Sequence, residues 1–332
     1  MVVPGLQVLP CPLEDRRPAL EVLYQNLPRA LRGSLIAEIL NDDDRGLVDL
    51  SGLWIARRRG WGLGATAGAL GRIVAALMTQ GLNGRAAAIW APEVRPSWRR
   101  AEIAAQLVHE ALEAYKARGF AIAQAVLDES SSPRNAADLA RGGMPRITDL
   151  LYLHRDTATP LIPAETDRRL TWQGLGEVGD DDFRRVVEAT YAGSLDMPEL
   201  EGARTLDDTL DGHRGAGRFV PEQWLLGRVP GRPDEAAVLM LAAAIDREAW
   251  EVVYLGLTPE ARGHGLGAQA IAHALDLARP HAGSLELAVD VRNRPAVKLY
   301  GRTGFVPHDR RAVHLAVFPN RDERPPCVTG AG

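Results

Sequence analysis

The sequence predicts an α/β protein built from two tandem domains of the same kind. Its 332 residues are long for one domain and sufficient for two of about 150 residues each. Each half begins with a short apolar strand and a helix, and each later repeats two short motifs. The motifs are Pro96 with Arg99 and Pro259 with Arg262, 163 residues apart, and Gly143-Met144 and Gly304-Phe305, 161 residues apart. We interpret this nearly constant offset as a domain duplication.

The apolar spacing predicts the main elements of each half in the same order. The opening strands are residues 6–9 and 170–172, the helices after them are 13–25 and 181–191, and the later amphipathic helices contain 103–112 and 271–278.

Turn-forming residues predict the boundaries between these elements. The predicted domains are residues 1–158 and 166–320, joined by a proline-containing linker around 156–167. Residues 227–234, which contain two prolines and two glycines, predict a loop inside the second domain. The polar segment 321–332 predicts a flexible tail.

Composition narrows the classes of protein to which the chain belongs. The net charge of -4 gives no indication of a basic surface, so we expect no nucleic-acid partner. Two cysteines, Cys11 and Cys327, cannot form a metal framework, so no metal is predicted, and a disulfide is possible but not indicated. Because there is no run of about 18 apolar residues and no signal peptide, we expect a cytoplasmic protein outside the membrane.

The most informative segment, residues 251–268, predicts a buried strand, a proline turn and a glycine-rich loop that begins a helix. Gly263, Gly265 and Gly267 at alternate positions allow the backbone to approach a ligand closely. The helix at 268–278 directs the positive end of its dipole to the same place. Together these features predict a pyrophosphate site made mainly of backbone.

Two other interpretations of this loop remain open from the loop alone. It could be a flexible strand-to-helix turn, or a dinucleotide-binding loop, since Gly263, Gly265 and Ala268 also fit G-x-G-x-x-A and the next strand ends at Asp290. The spacing opposes the dinucleotide interpretation, because residues 258–262 separate the strand from the first glycine and the motif lies late in its domain.

Two motifs together resemble the GNAT superfamily of N-acyltransferases. Arg262, Gly265 and Gly267 match its acyl-CoA signature R/Q-x-x-G-x-G/A, and residues 293–305 resemble its N-x-x-A-x-x-L-Y-x-x-x-G-F block. The close resemblance covers about residues 250–306. It implies two GNAT-like domains, each a mixed, mostly antiparallel sheet flanked by helices, and an N-acetyltransferase that uses acetyl-CoA as co-substrate and transfers the acetyl group directly to an amine.

The resemblance also implies two catalytic residues. Tyr300 lies where the superfamily places the general acid near the thioester sulfur; the alternative is a core aromatic on a helix. Glu251 lies on the strand before the loop, and flanking by Trp250 and Val252 could raise its pKa, which suits a general base. The alternative is an outward-facing strand carboxylate. Other members place a glutamate where this chain has Ala288.

Further residues are expected to contact the cofactor. Residues 255–257 should separate from the neighbouring strand and leave backbone groups free for the pantetheine arm, and Asn293 should contact the cofactor or cap the helix that carries Tyr300. His264 should be solvated rather than catalytic. The predicted cofactor-binding residues are Leu255, Gly256, Leu257, Arg262, Gly263, His264, Gly265, Leu266, Gly267, Ala268 and Asn293.

The first half lacks the residues that this chemistry needs. Alignment of Arg99 with Arg262 places Glu102 at the position of Gly265 and Ala104 at that of Gly267, and the closing motif places Leu139 at that of Tyr300. A glutamate at the helix N-terminus repels pyrophosphate. The first domain is therefore predicted to be a degenerate, non-catalytic copy.

The acceptor is expected to be a small-molecule or peptide amine, bound around residues 189–225 and a late loop at 308–314. The acidic residues Asp196, Glu199, Glu201, Asp207 and Asp208 could attract a cationic amine or form a solvated face. A sensor or scaffold that binds acyl-CoA without turnover is the alternative function. The sequence does not indicate an oligomeric state.

Overall fold

The computed structural model describes residues 2–58, 71–245 and 247–318. Cys327 and the predicted tail 321–332 lie outside these residues. The chain divides into two compact units, one of residues 1–147 with the segment from Ala312 onward, and one of Thr148–Arg311.

The opening strand and helix and the later amphipathic helix of each half occur in the predicted order, together with elements that were not predicted. The strands are β1 Leu6–Pro10, β2 Leu53–Arg58, β3 Arg72–Leu82, β4 Ala86–Ile89, β5 Glu93–Val94, β6 Ile122–Leu127, β7 Arg146–Asp156, β8 Thr171–Gly174, β9 Trp224–Val229, β10 Arg232–Ala243, β11 Ala249–Leu257, β12 Ser284–Asp290 and β13 Val306–Val317. The helices are α1 Arg16–Leu23, α2 Arg29–Asp44, α3 Arg100–Ala117, α4 Pro133–Arg141, α5 Leu175–Val178, α6 Asp180–Tyr191, α7 Leu206–Arg214, α8 Leu266–Ala278 and α9 Arg294–Arg302.

The first unit has the strand order β1-β2-β3-β4-β6, completed by the end of β13, with β5 paired to β3. The second has the order β8-β9-β10-β11-β12, completed by β7. Among the described pairs, β4 with β6 is the parallel pair of the first unit and β11 with β12 that of the second; the others are antiparallel. The two units therefore share one mixed, mostly antiparallel topology, as predicted.

Each unit is completed by a strand from the other half of the sequence. Strand β7, at the end of the first half, pairs with β12 from Leu150 to Asp156. Residues 312–317 of β13 pair with β6. The division of the structure thus differs from the predicted boundaries at these two strands, because strand pairing rather than chain order sets the compact units. The different roles assigned to the two domains stay predictions.

The cores follow from the alternation of side chains along the central strands. In the second unit, Leu239 and Leu241 of β10 pack with α8 and α9, whereas Val238 and Met240 pack with α6 and α7. In the first unit, Leu77 of β3 packs with α3, and Ala76 packs with α1 and α2. Each sheet is therefore covered by helices on both faces.

Two predicted loops are strands in the structure. Residues 227–234 lie mostly in the hairpin of β9 and β10, whose turn needs only Pro230 and Gly231, the latter at φ 76°. Two turn residues suffice to connect antiparallel strands, so the loop prediction was wrong for the rest of the segment. The predicted loop 308–314 lies within β13. In the described parts of the chain, no helix is both long and apolar enough to cross a bilayer.

Candidate active site

Strands β11 and β12 separate in the middle of the second unit. Their parallel pairing covers only Ala249–Ser284 to Glu251–Glu286. Beyond this point β11 continues along β10 as far as Leu257, and β12 continues along β7 as far as Asp290. A register shift in β11 leaves Val253 without a partner residue on β10, which marks a bulge. Residues 255–257 are therefore not paired with β12, as expected from the sequence.

The glycine-rich loop follows β11 and exposes backbone donors. Gly263 has φ 81° and Gly265 has φ 78°, values that glycine adopts without strain. Gly265 is the N-cap of α8, and residues 262–265 are exposed. Within the described residues, the five consecutive N–H groups from Gly263 to Gly267 make no hydrogen bond. Unpaired N–H groups at a helix N-terminus form an anion site, so the loop fits a pyrophosphate group.

Gly267 has a different role from the other two glycines. A Cβ atom on it would lie 2.8 Å from Cδ2 of Leu299, whereas none on Gly263 or Gly265 would meet an atom within 4 Å. The absent side chain of Gly267 therefore allows α8 to pack closely against α9, which carries Tyr300.

The side chain of Arg262 connects the loop to the end of β11 and to the end of α6. Its guanidinium donates to the carbonyl oxygen of Leu257 at 3.2 Å, that of Thr190 at 3.0 Å and that of Gly193 at 3.4 Å. The last two carbonyls lie at the C-terminal end of α6, where cations are favourable. Arg262 thus connects the loop to α6. Its predicted contact with the cofactor stays a prediction, because the bonds of the guanidinium are to these three carbonyl oxygens.

Tyr300 lies on α9, and Asn293 caps this helix. The side-chain oxygen of Asn293 accepts from the N–H of Ala296 at 3.3 Å. Tyr300 is 7% exposed, its ring packs edge-on to Phe305, and its hydroxyl has no hydrogen-bond partner in the described part of the chain. Burial raises the pKa of Tyr300, and Asp196 and Tyr254 raise it further. A hydroxyl with a raised pKa stays protonated at neutral pH.

Glu251 lies opposite Glu286 on the neighbouring parallel strand. Burial raises the pKa of Glu251, Arg247 lowers it and Glu286 raises it. Arg247 also donates to Glu286 at 3.1 and 2.7 Å. The raised pKa agrees with the expectation from the apolar flanks. Asp196 raises the pKa of Tyr300, whereas Arg247 and Glu286 act on the pKa of Glu251.

Several polar residues beside β11 were not identified from the sequence. The hydroxyl of Tyr254 is 2.8 Å from that of Thr190, and the hydroxyl of Tyr191 is 3.1 Å from Nε2 of His213. Burial lowers the pKa of His213 to about 4, so the ring is neutral at pH 7. These residues come from three separate elements, and no spacing in the sequence indicates that they meet.

A buried carboxylate anchors the segment between α6 and α7. Asp290 is fully buried and accepts from Thr148 at 2.6 Å, from the guanidinium of Arg292 at 2.7 Å and from the N–H of Met197 at 3.3 Å. Arg292 also forms two bonds to Glu199, at 2.6 and 2.8 Å. Burial alone would raise the pKa of Asp290, but the bonds from Arg292 and Thr148 hold it below its usual range.

The acidic residues proposed to attract an amine therefore have different environments. Glu199 pairs with Arg292, and Asp207 pairs with Arg184 at 2.6 Å. The side chain of Asp208 accepts from the backbone N–H of Thr205, the N-cap residue of α7. Glu201 is exposed. Of the five, Asp196 is the one that raises the pKa of Tyr300.

The first unit differs at the aligned positions. Helix α3 begins at Arg100, directly after Arg99, whereas α8 begins four positions after Arg262. Glu102 thus lies in a helical first turn where the second unit has a glycine loop. Leu139 is fully buried on α4, a helix that Ser132 caps as Asn293 caps α9. The structure agrees with the alignment that places Leu139 at the position of Tyr300.

Comparisons with known proteins concern both sequence and fold. Residues 207–305 match the model of the acetyltransferase (GNAT) family. The mycothiol acetyltransferase of Parafrankia sp. is 29% identical over 245 residues, 65% of this chain and 71% of that protein. That of Beutenbergia cavernae is 32% identical over 188 residues, 52% of this chain and 60% of that protein.

Solved structures resemble the chain in fold. A GCN5-related N-acetyltransferase from Sphaerobacter thermophilus has a TM-score of 0.52 at 16% identity, covering 96% of this chain and 97% of that one. The glucosamine N-acetyltransferase region of a fungal multi-domain β-N-acetylglucosaminidase has a TM-score of 0.54 at 14% identity, covering 94% of this chain and 38% of that one. At these identities the likeness concerns the fold alone.

Proposed function

We propose that this chain, which carries a domain of the acetyltransferase (GNAT) family at residues 207–305, transfers an acetyl group from acetyl-CoA directly to an amine. The observation that carries the proposal is the row of unpaired N–H groups from Gly263 to Gly267 at the start of α8. Such a row, together with the helix dipole, suits the pyrophosphate of a CoA thioester.

The separated strands suit the rest of the co-substrate. Beyond Glu251, the edge of β11 at Leu255, Gly256 and Leu257 is not paired with β12. In the proposal they hold the pantetheine arm, and an N–H among them polarises the thioester carbonyl. A preoriented donor of this kind stabilises the charge that develops on the oxygen.

Two side chains move protons in the proposed reaction. The amine nitrogen forms a bond to the carbonyl carbon, the carbon–sulfur bond breaks, and Tyr300 protonates the departing thiolate. Glu251 is the proposed base that takes the proton from the amine, a role that its raised pKa supports. The first unit, with Leu139 and Glu102 at the corresponding positions, is proposed to be non-catalytic.

The proposal leaves the acceptor open between small-molecule and peptide amines. Mycothiol acetyltransferase activity, named for two relatives, is the specific activity to assay first. The described residues contain no group of three or more potential metal ligands. Metal independence and cytoplasmic location stay predictions.

One experiment separates the enzyme from its alternatives. Binding of acetyl-CoA, NAD and NADP is measured by calorimetry, and thiol release is then followed with a panel of primary amines. We expect acetyl-CoA to bind more tightly than either dinucleotide and at least one amine to be acetylated. Binding without turnover on any amine would instead support the sensor, and tighter binding of NAD or NADP would contradict the site assignment.

A further inference from the structure

A cavity of about 210 Å³ lies in the first unit, beside the start of α3. Three arginines line it, Arg58 at the end of β2, Arg72 at the start of β3 and Arg95 just after β5, together with Ser97 and Ile103 at the start of α3. A single water molecule needs only about 10–15 Å³, so the cavity has room for a small ligand. Strand β6, the counterpart of β12, contributes none of the described lining residues, so the cavity is not the counterpart of the place where β11 and β12 separate.

The three arginines of this cavity have no acidic partner in the described part of the chain. Arg95 donates from Nε to the carbonyl oxygen of Ile73 at 3.3 Å, whereas the side chains of Arg58 and Arg72 make no hydrogen bond to a described residue. Arg58 and Arg72 are directly opposite each other in the pairing of β2 with β3. Like charges at opposite positions destabilise a sheet. The sequence between them, residues 59–71, contains no Asp or Glu that could neutralise this pair.

The start of α3 adds a further donor. The Oγ of Ser97 accepts from the N–H of Arg99 at 3.2 Å, so its hydroxyl proton is available to a ligand in the cavity. The N-terminal end of α3 carries the positive end of the helix dipole, which Glu102 in the first turn partly offsets. The guanidinium groups therefore supply most of the positive charge.

The second unit fills the corresponding position with packed side chains. The 163-residue offset between the two halves places Leu266 at the position of Ile103. Leu266 is fully buried and packs with Val229 and Ala261. The topology that the two units share therefore does not require an open, charged cavity at this place.

We propose that this cavity of the first unit binds a phosphate group, either the free ion or the phosphate of a small ester, through Arg58, Arg72 and Arg95. The planar guanidinium group forms paired hydrogen bonds to phosphate oxygens. A phosphate monoester carries a charge of about −1.5 to −2 at pH 7 and three strong acceptor oxygens. This matches three guanidinium groups and a hydroxyl better than a carboxylate does. The site is independent of acetyl transfer and gives the first unit a binding role.

The test removes two of the three charges from the cavity with Arg58→Gln and Arg72→Gln combined. The bond of Arg95 to Ile73 stays in place. Because both substituted side chains lack a partner among the described residues, the melting temperature should not fall; if it does, Arg72→Gln alone, at an exposed position, is measured instead.

The matched control combines Arg17→Gln with Arg29→Gln. These exposed arginines belong to α1 and α2, which pack on the face of the sheet opposite α3. All proteins are full chains that also carry Gly265→Glu, so that the loop at residues 263–267 does not bind the probe.

Inorganic phosphate, methyl phosphate and acetate are titrated by calorimetry at constant ionic strength, because salt screens exposed charges. We expect both phosphates to bind, acetate to bind roughly tenfold more weakly or less, and the cavity variant to lose roughly tenfold or more in phosphate affinity. The control should stay within about twofold of the parent protein. Tighter binding of methyl phosphate would identify an ester as the ligand, and the reverse order would identify the free ion.

Three results would overturn the inference. They are no phosphate binding by the parent protein, equal phosphate affinity in the cavity variant and the parent, and acetate binding as tight as that of phosphate. Acetyl-CoA affinity of the wild type tests the proposed function separately, so the two failures are distinguishable.

Discussion

The hydroxyl of Tyr254 lies directly over Gly256, 2.5 Å from the point that a Cβ atom would occupy there. The hydroxyl of Thr190 lies 2.7 Å from the same point. The two hydroxyls bond to each other at 2.8 Å. Because Gly256 has no side chain, the two hydroxyls fit there, and their hydrogen bond joins strand β11 to helix α6 beside the proposed acetyl-transfer site.

Gly256→Ala should break this junction. The added methyl cannot fit without moving both hydroxyls, and overpacking of this kind costs roughly 1–3 kcal/mol. Urea unfolding measures the change. Gly301→Ala is the control, because its methyl meets nothing within 4 Å on α9 and should stabilise the helix by up to about 1 kcal/mol. Equal free energies of unfolding for Gly256→Ala and the wild type would show that the methyl group fits at this position and would contradict the prediction.

Gly265→Glu should abolish acetyl-CoA binding. The glutamate places a negative charge beside the N–H groups of residues 263–267, as Glu102 does at the start of α3. Gly265→Ala is the control, since it shares the strain of about 1–2 kcal/mol at φ 78° but adds no charge. Calorimetry should show a much larger loss of affinity for glutamate than for alanine. Retained affinity in Gly265→Glu would remove the loop as the cofactor site.

Asp290→Asn should destabilise the second unit. The buried carboxylate accepts from Arg292 and Thr148, and loss of such a charged bond costs roughly 1.5–3 kcal/mol. Asp211→Asn, which removes an exposed partner of Arg214, should change stability by no more than about 0.5 kcal/mol. Urea unfolding of both variants checks the difference, and similar values would contradict it.

The carboxylate of Asp290 should also make the free energy of unfolding depend on pH. The pKa of Asp290 is lower in the folded than in the unfolded chain, so its contribution is complete above the unfolded value of about 3.9 and is lost as the pH falls through the folded value. The difference in unfolding free energy between wild type and Asp290→Asn should therefore shrink on acidification.

Glu251→Gln should abolish the fall of kcat/KM at low pH, the acid limb of the pH–rate profile. A base must be ionised to take a proton, and the pKa of Glu251 is raised by burial, so kcat/KM should fall as the pH drops through a value above the usual 4.3 or so. Glu248→Gln, an exposed carboxylate three residues earlier, should leave the limb in place. If the limb persists in Glu251→Gln, another group is the base.

Local chemistry explains which features could be predicted from the sequence. The positive φ of Gly263 and Gly265, the start of α8 and the cap at Asn293 follow from the properties of single residues. Helix α2 was not predicted, because its apolar residues are too scattered to mark one face.

Long-range pairing explains what the sequence did not reveal. A strand pattern does not specify its partner, so the exchange of β7 and β13 between the two halves was not predicted. The contact of Asp196 with Asp290 joins residues 94 positions apart. Nothing in the sequence near either residue distinguishes Asp196 from the other acidic residues of its segment.

In the proposed reaction, Tyr300 protonates the thiolate during acetyl transfer to an amine. The most direct test compares Tyr300→Phe with the wild type, using thiol release for kcat and calorimetry for the Kd of acetyl-CoA. Because the hydroxyl has no partner in the described residues, the variant should fold normally and bind acetyl-CoA unchanged. We expect kcat to fall roughly 10²–10⁴-fold. A kcat within a few-fold of the wild type would contradict it.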